Sequence, residues 1–418
     1  MNKNMSFYLI EQVFPSTSCL LNLKKHIIAE MEQKGFLNKI KSGMKIGLVV
    51  GSRNITKINE IITILVELIK RQRAKPVVIC AMGSHGGGTV EGQLEVLKKL
   101  GITSSSVGAP ILASLDSHCL GNVQGQPVYV NSLAFECDFL IPINRIKPHT
   151  SFKGKVESGL TKMLVVGLGG PNGAEVFHGL RYEQMPQMLI EMGKLIVEKL
   201  PILCGIGIVE NAYKQIDTLV ICSKRDFIKY DMLLLEKARK LYPSLPFEYL
   251  DVLVVEQMGK CFSGTGMDTN VIGRYGIRGV KDGKPKIECL VVLDLAEMSA
   301  GNANGIGLAD ITTMKLISKI DYQITLKNVL TTTFLDRIKL PAAFENDLKA
   351  IEASLKVVKK PHEQICLAFI KNTQDIYRFF VTAPLVKEIL DKKNLKVLDG
   401  PFHMVFNEKG DFLNFQKV

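Results

Sequence analysis

Met44-Lys-Ile-Gly-Leu-Val-Val-Gly51 is the stretch that decides the fold, because it is a short apolar run bounded by glycine. Such a run predicts a buried strand. Residues 54–73 follow with isoleucine and leucine at helical spacing, and Asn54 is placed to cap that helix. Pro76–Ala81 repeats the strand pattern and residues 89–100 repeat the helix pattern. This alternation predicts an α/β fold with a parallel sheet, whose functional loops follow the carboxyl ends of the strands at one edge.

The length of 418 residues exceeds one compact core and predicts two α/β domains. Tyr242-Pro-Ser-Leu-Pro246 interrupts the helical pattern and is the predicted boundary. We therefore expect an N-terminal domain, residues 1–245, and a C-terminal domain, residues 246–418, whose last residues are candidates to return to the first domain. Each is expected to hold a largely parallel sheet flanked by helices, the two facing across a cleft.

Composition narrows the classes of partner. The net charge of +12 favours small anionic ligands. The basic residues are scattered and tryptophan is absent, which argues against a nucleic-acid groove with stacking aromatics. No apolar run reaches the roughly 18 residues of a membrane span, and the N-terminus does not resemble a signal peptide. Nine cysteines without a C-x-x-C pair indicate a reducing compartment, so we expect a cytoplasmic protein.

The densest set of chemically active side chains lies in residues 144–178, which contain His149, Lys162 and His178. Lys162 stands just before an apolar run, where a partly desolvated amine can act as a nucleophile or covalent anchor. The glycine-rich residues 167–173 are a weak phosphate-loop signal, since the pattern G-x-x-x-x-G-K-[ST] is missing. A nucleotide-binding enzyme that uses these glycines is the weakest alternative.

Two further candidates follow the first two strands. Arg53 comes after the strand that ends near Gly51, where an ordinary surface arginine at a helix start is the competing interpretation. His85 lies beside Gly83 and residues 86–88, all glycine, which remove side chains and let a ligand or backbone approach closely.

Taken in order, these residues resemble the nickel-pincer lactate racemase family over about residues 45–400. In that family a post-strand arginine binds the substrate carboxylate, and Arg53 matches it. A Gly-Thr-His-Arg loop supplies one catalytic histidine, which His85 in Gly-Ser-His-Gly resembles. The family segment His-x-Phe-Ala-Gly-Tyr-Ser-Gly-Gly-Arg-Lys supplies the second catalytic histidine and the lysine that carries the cofactor, and His149 and Lys162 correspond to them.

The resemblance assigns five more residues. Ser158 and Gly159 fall in the cofactor-binding part of the same segment, and His178 stands where a family histidine ligates nickel. A Gln-x-x-Lys pair that contacts substrate or cofactor is matched by Gln257 and Lys260.

The resemblance implies an isomerase that racemises or epimerises a 2-hydroxy acid. Its cofactor would be a nickel-pincer nucleotide, a pyridinium thioacid/thioamide nucleotide attached through Lys162, which takes up hydride from the substrate Cα and returns it. The implied partners are a small anionic 2-hydroxy acid and the enzymes that synthesise the cofactor, with no nucleic acid and no membrane. The alternative is a non-racemising homologue that binds an anionic small molecule or phosphate in the same cleft without the pincer.

Three departures from the family pattern bear on the substrate. The segment from His149 to Lys162 is three residues longer than the family segment, and Gly86 stands where arginine follows the first histidine. The chain has no tryptophan, so the aromatic residue that closes the lactate site in the best-known branch is missing. We therefore expect a 2-hydroxy acid other than lactate.

Overall fold

The computed structural model describes residues 5–15, 20 and 22–418. The chain divides into two compact units, Pro15–Tyr242, and Met1–Phe14 together with Pro243–Val418. No helix among the described residues is long and apolar enough to cross a bilayer.

The unit Pro15–Tyr242 is built on a six-stranded sheet. In spatial order its strands are Ile111–Leu112, Lys75–Cys80, Lys45–Val50, Phe139–Arg145, Gly205–Glu210 and Ile216–Cys222. The first five run parallel and the last is antiparallel. The central strands are buried along almost their whole length, as their continuous apolar runs predict for a sheet covered on both faces. Ser117–Val123 and Gln126–Asn131 form a separate antiparallel ribbon.

The helices of this unit bury one apolar face each, as in Ile58–Arg71, which buries eight residues. Asn54 does not cap that helix, because the chain makes a further turn first and enters the helix through Lys57 at a φ of 58°. The sequence also predicts a helix from about Leu21 to Lys34, and its predicted start, Leu21, lies outside the described residues. The α-helices are Leu23–Gln33, Ile58–Arg71, Val90–Lys99, Ser104–Val107, Leu160–Lys162, Gly170–His178, Met185–Lys199 and Phe227–Leu241, with a π-helical turn at Met163–Gly167 and 3₁₀ turns at Leu37–Lys39, Gly86–Gly88, Ser132–Glu136 and Lys224–Asp226.

The second unit is built on a nine-stranded sheet. Its strands in spatial order are Ala342–Phe344, Ile311–Thr313, Lys286–Leu295, Tyr249–Met258, Leu367–Ile370, Arg378–Thr382, Phe7–Gln12, Leu395–Phe406 and Phe412–Lys417. The first five are parallel and the remaining pairings are antiparallel. Its helices are Thr269–Ile272, Met314–Ser318, Tyr322–Thr332, Asp347–Val358 and Ala383–Leu390, with 3₁₀ turns at Glu297–Ser299, Ile306–Leu308, Leu335–Ile338 and His362–Gln364.

The strand Phe7–Gln12 shows how the two ends of the chain are joined. The sequence placed these residues in the N-terminal domain, whereas the strand pairs with Arg378–Thr382 on one side and Leu395–Phe406 on the other. Phe7 and Ile10 are completely buried there, so apolar burial and two hydrogen-bonded ladders fix the strand in this sheet. The α/β class predicted from the sequence is confirmed, with antiparallel strands added at one side of each sheet.

Candidate functional site

Three segments at the carboxyl edge of the six-stranded sheet carry the predicted site residues of the first unit. Arg53 follows the strand Lys45–Val50, and His85 follows Lys75–Cys80. His149 follows Phe139–Arg145. Neighbouring parallel strands end at the same edge, which is why residues far apart in the chain come close together here.

His149 and Lys162 are in direct contact. Lys162 Nζ lies 2.5 Å from His149 Nε2. The ring of Phe152 lies beneath both groups, with its centroid 4.4 Å from that of His149 and 5.8 Å from Lys162 Nζ. Phe152 is buried, so the amine and the imidazole meet over an apolar floor.

The hydrogen bonds of His149 define which nitrogen carries the ring proton. The backbone N–H of Ser151 donates to Nδ1 over 3.0 Å. In a neutral imidazole the other nitrogen then bears the proton, so Nε2–H donates to Lys162 Nζ. This pattern requires Lys162 to be an unprotonated amine, since an ammonium has no lone pair to accept the bond.

Burial and neighbouring charge favour the same protonation state. The pKa of Lys162 falls to about 7, chiefly because burial penalises the ammonium, with further lowering by the positive charges of Arg53 and Lys147. The pKa of His149 lies well below its ordinary value, first because of burial and then because of Lys162 and His178. Near neutral pH the pair therefore holds an uncharged imidazole next to an amine with a large unprotonated fraction.

His178 is linked to this pair through two edge-to-face aromatic contacts. It is the last residue of the helix Gly170–His178, and its ring lies 5.7 Å from that of Phe177, which in turn lies 5.8 Å from Phe152. Burial and the charge of Lys162 lower the pKa of His178 to about 4, so its imidazole is neutral at pH 7. The structure thus groups three of the predicted residues, His149, Lys162 and His178, around one apolar base.

A buried carboxylate holds the start of the Lys162 helix. Asp231 accepts the backbone N–H of Leu160 over 2.9 Å and that of Thr161 over 2.8 Å. Gly159 precedes them at a φ of +148°, and a side-chain carbon there would lie 2.2 Å from an Asp231 oxygen. Ser158 Oγ donates to the carbonyl of Arg145 over 3.4 Å. The positions of Ser158 and Gly159 are therefore set by packing and hydrogen bonding beside Lys162.

Sequence reasoning missed Asp231, although a signal was present. Asp231 lies on the same helical face as Phe227, Leu234 and Ala238, all of which are buried. A carboxylate on an apolar helix face needs partners, and burial raises its pKa to about 6 despite the two N–H donors. Glu157 was also missed, although it stands inside the segment that drew attention.

Arg53 and His85 form a more exposed part of the site. Both side chains are exposed, and Ser52 Oγ hydrogen-bonds His85 Nδ1. The loop of His85 is tied to the π-helical turn after Lys162, since the Gly83 N–H donates to the carbonyl of Gly167 over 3.0 Å. A side-chain carbon at Gly83 would lie 2.9 Å from the carbonyl oxygen of Val166, which explains glycine at this close approach.

The loop of Arg53 is held by a second carboxylate. Glu210, at the end of the strand Gly205–Glu210, accepts the backbone N–H of Thr56 over 2.6 Å and pairs with Arg145. This contact fixes the turn between Arg53 and the following helix, so the arginine is mounted on an ordered loop although its side chain reaches solvent.

Gln257 and Lys260 belong to the other unit. Gln257 lies near the end of the strand Tyr249–Met258, and its N–H donates to the carbonyl of Lys371 over 2.9 Å. Lys260 follows that strand, with its N–H donating to Ser299 Oγ over 2.8 Å and its Nζ donating to Asn328 Oδ1. Both therefore stand at the carboxyl end of a parallel strand.

The glycine-rich residues 167–173 do not form a phosphate loop. They continue from the π-helical turn Met163–Gly167 into the helix Gly170–His178. Gly169 is needed there because a side-chain carbon would lie 2.2 Å from the carbonyl oxygen of Val165. These glycines therefore allow the closely packed helical turns that connect Lys162 to His178.

The donor set fits a nickel-pincer group. Lys162 offers an amine for attachment, and His178 offers a neutral imidazole as a single protein ligand. Within the described part of the chain no three His, Cys, Asp or Glu side chains converge as a protein-only metal site requires.

Comparisons with known proteins bear on the family and the fold. Residues 3–185 match the family described as the lactate racemase N-terminal domain. Among solved structures, the chain is similar to the lactate racemase apoprotein from Thermoanaerobacterium thermosaccharolyticum, with 14% sequence identity, a TM-score of 0.51 and 92% of each chain covered. At that identity the likeness shows the fold alone. No curated protein matches the chain.

Proposed function

We propose, from the lactate racemase N-terminal domain that residues 3–185 carry, that this protein is a nickel-pincer-dependent racemase or epimerase of a 2-hydroxy acid other than lactate. The observation that carries the proposal is the meeting of Lys162, His149 and His178 over the rings of Phe152 and Phe177. These are the residues to which the family resemblance assigns cofactor attachment, proton transfer and nickel ligation.

The chemistry of the substrate calls for such a group. The Cα proton of a 2-hydroxy acid is poorly acidic because the adjacent carboxylate already bears negative charge. When bound, the pincer cofactor supplies reversible hydride acceptance in place of proton removal. Lys162 would attach it and the His178 imidazole would ligate its nickel.

The residues of the chain then bind the substrate and move its hydroxyl proton. Arg53 would bind the carboxylate through a bidentate contact. His85 and His149 would accept the hydroxyl proton for the two enantiomers, since each stereochemical outcome needs a base on its own side. For His149 this requires the tautomer with its proton on Nδ1, in which Nε2 has the free lone pair and the Ser151 N–H no longer donates to Nδ1. A neutral imidazole is required for that role, and burial keeps His149 neutral.

A direct test is to produce the protein beside pincer-synthesis enzymes and measure intact mass, nickel content and the modified peptide. We expect about one nickel per chain and an added mass on the peptide that contains Lys162. Lys162→Ala should abolish both, whereas Lys155→Ala, an exposed lysine in the same segment, should load normally. Nickel and activity retained in Lys162→Ala would refute the attachment point.

A second candidate function rests on the positive charges of this site. Arg53 and Lys147 both act on Lys162 electrostatically, and Arg145 stands beside Glu210 nearby. Such a cluster suits a non-racemising homologue that binds an anionic small molecule or phosphate without the pincer. An unmodified, nickel-free chain under conditions that load an authentic lactate racemase, together with saturable phosphate binding, would favour this candidate.

A further inference from the structure

We propose that Glu157 is a positioning residue that closes residues 149–157 into a loop and so holds the His149 ring against Lys162. The Glu157 side chain is completely buried. One carboxylate oxygen, Oε2, accepts the backbone N–H of His149 over 2.7 Å, and the other, Oε1, accepts that of Gly154 over 3.2 Å. A single side chain thus ties both ends of the loop together.

Two cations complete the surroundings of this carboxylate. Arg239, from the helix Phe227–Leu241, donates to Glu157 Oε1 over 2.6 Å and to the carbonyl of Gly154 over 2.9 Å. Lys153 Nζ lies 3.7 Å from Glu157 Oε2 and donates to the carbonyl of His149 over 2.9 Å. The backbone of His149 is therefore held at both its N–H and its carbonyl, and the loop is fastened to a neighbouring helix.

Fixing the His149 backbone fixes what its ring can reach. With the loop closed, the Ser151 N–H meets Nδ1 and Phe152 lies under the ring, which leaves Nε2 directed at Lys162. The loop belongs to the segment that is three residues longer than its counterpart in the family it resembles. Glu157 offers a physical reason why the longer segment still brings His149 to Lys162.

Two roles for Glu157 predict opposite changes at Lys162. As a plain negative charge, Glu157 raises the pKa of Lys162, so its removal would lower that pKa. As a loop clamp, its removal lets water reach Lys162, and the pKa rises because desolvation is the largest cause of its present low value. The sign of the change therefore separates positioning from electrostatics.

The experiment uses cofactor-free protein carrying Glu157→Gln. Glutamine keeps the size of the side chain but replaces one acceptor oxygen by an NH₂ donor, so it cannot satisfy all the N–H groups that now bind Glu157. Acylation of Lys162 by an amine-reactive reagent is followed by peptide mass spectrometry from pH 6 to 10, and the His149 ring nitrogens are observed by ¹⁵N NMR. We expect the Lys162 labelling pKa to rise by about one unit or more, which lowers labelling about tenfold at pH 6.5.

Asp251→Asn is the matched control, since Asp251 is an equally buried carboxylate that binds a backbone N–H and a lysine in the other unit. It should leave the Lys162 profile and the His149 spectrum unchanged. If Glu157→Gln does not fold, the same measurements are made on Arg239→Gln. That substitution removes the bond between the loop and the helix Phe227–Leu241 but keeps the Glu157 carboxylate. A lowered or unchanged labelling pKa with an unchanged His149 spectrum would overturn the proposal, as would an equal shift in Asp251→Asn.

This inference rests on the proposed function only for the role that it gives His149. The labelling experiment needs neither nickel nor substrate. A chain that never loads the pincer can therefore still pass it, and a chain that loads the pincer can fail it.

Discussion

The surroundings of Lys162 and those of Arg53 and His85 occupy the same edge of one sheet but are built differently. The Lys162 segment is fastened by two completely buried carboxylates, Glu157 and Asp231. Arg53 and His85 lie on short glycine-containing loops with their side chains in solvent. Under the proposed function, the buried part would hold the covalently attached group and the accessible part would meet the exchanging substrate.

Burial also divides the chemistry between the two parts. In the Lys162 segment, desolvation keeps amine and imidazoles uncharged, which suits attachment, ligation and proton acceptance. Arg53 reaches the surface, and its guanidinium stays charged although desolvation and the charge of Arg145 lower its pKa, which suits capture of a carboxylate. Substitution of the buried carboxylates that hold the first part should therefore lower stability, whereas substitution of Arg53 in the second part should lower catalysis without lowering stability.

The largest expected effect is on stability at Asp231. Asp231→Ala leaves the N–H groups of Leu160 and Thr161 without their acceptor inside the protein. We expect the free energy of unfolding to fall by about 2–5 kcal/mol in urea denaturation. Glu236→Ala, on the exposed side of the same helix, should change it by less than about 0.5 kcal/mol. Equal losses of unfolding free energy in Asp231→Ala and Glu236→Ala would show that the buried carboxylate does not stabilise the Lys162 segment.

Substitution of Arg53 should lower activity without lowering stability. Arg53→Ala removes the proposed carboxylate contact and should lower kcat/KM about 100-fold with the 2-hydroxy acid turned over fastest, while the urea midpoint stays within error. Arg53→Lys keeps the charge but loses the bidentate geometry, so its kcat/KM should lie between that of the unsubstituted protein and that of Arg53→Ala. A loss of stability comparable to that of Asp231→Ala would contradict the assignment of Arg53 to the accessible part.

Lys162 itself should lower stability in a pH-dependent way. The pKa of Lys162 is about 7 in the folded protein and near 10.4 in the unfolded chain. Burying Lys162 therefore costs little folding free energy above the unfolded pKa, and the cost grows as the pH falls from there to the folded pKa. Lys162→Met should therefore raise the free energy of unfolding of cofactor-free protein by about 2 kcal/mol at pH 7, after allowance for partial exposure, and by little at pH 10.5. A gain that is the same at both pH values would show that Lys162 is not desolvated.

The smallest effect is expected at Ser52. Ser52→Ala removes the hydrogen bond to His85 Nδ1 without leaving a buried group unpaired. Poorer orientation of the ring should lower kcat about 3- to 10-fold with little change in KM, and stability should not change. A loss of kcat/KM as large as that of Arg53→Ala would show that the orientation of the His85 ring depends on Ser52 far more than an exposed loop suggests.

Sequence patterns predicted the parallel sheet because its strands are continuous apolar runs and its helices repeat at 3.6 residues. The strand Phe7–Gln12 was assigned elsewhere, since its pairing with Arg378–Thr382 is a contact between chain ends that no local pattern encodes. Arg53, His85 and His149 could be placed at one edge of the sheet from the sequence because each follows the end of a strand. Asp231 could have been noticed as a carboxylate on an apolar helix face. Its bonding partners and those of Glu157 could not be predicted, because they include backbone N–H groups that carry no sequence signature.

Retention of isotope tests the central claim most directly. Cofactor-loaded protein would be given single enantiomers of 2-hydroxy acids deuterated at Cα, in ordinary water, with chirality and deuterium content followed together. The proposed function predicts that at least one acid is racemised or epimerised and that the product enantiomer retains its deuterium, because hydride returns from the cofactor to the same carbon. Inversion with exchange of deuterium for solvent hydrogen would contradict hydride transfer, and no inversion by nickel-loaded protein across the whole panel would contradict the racemase itself.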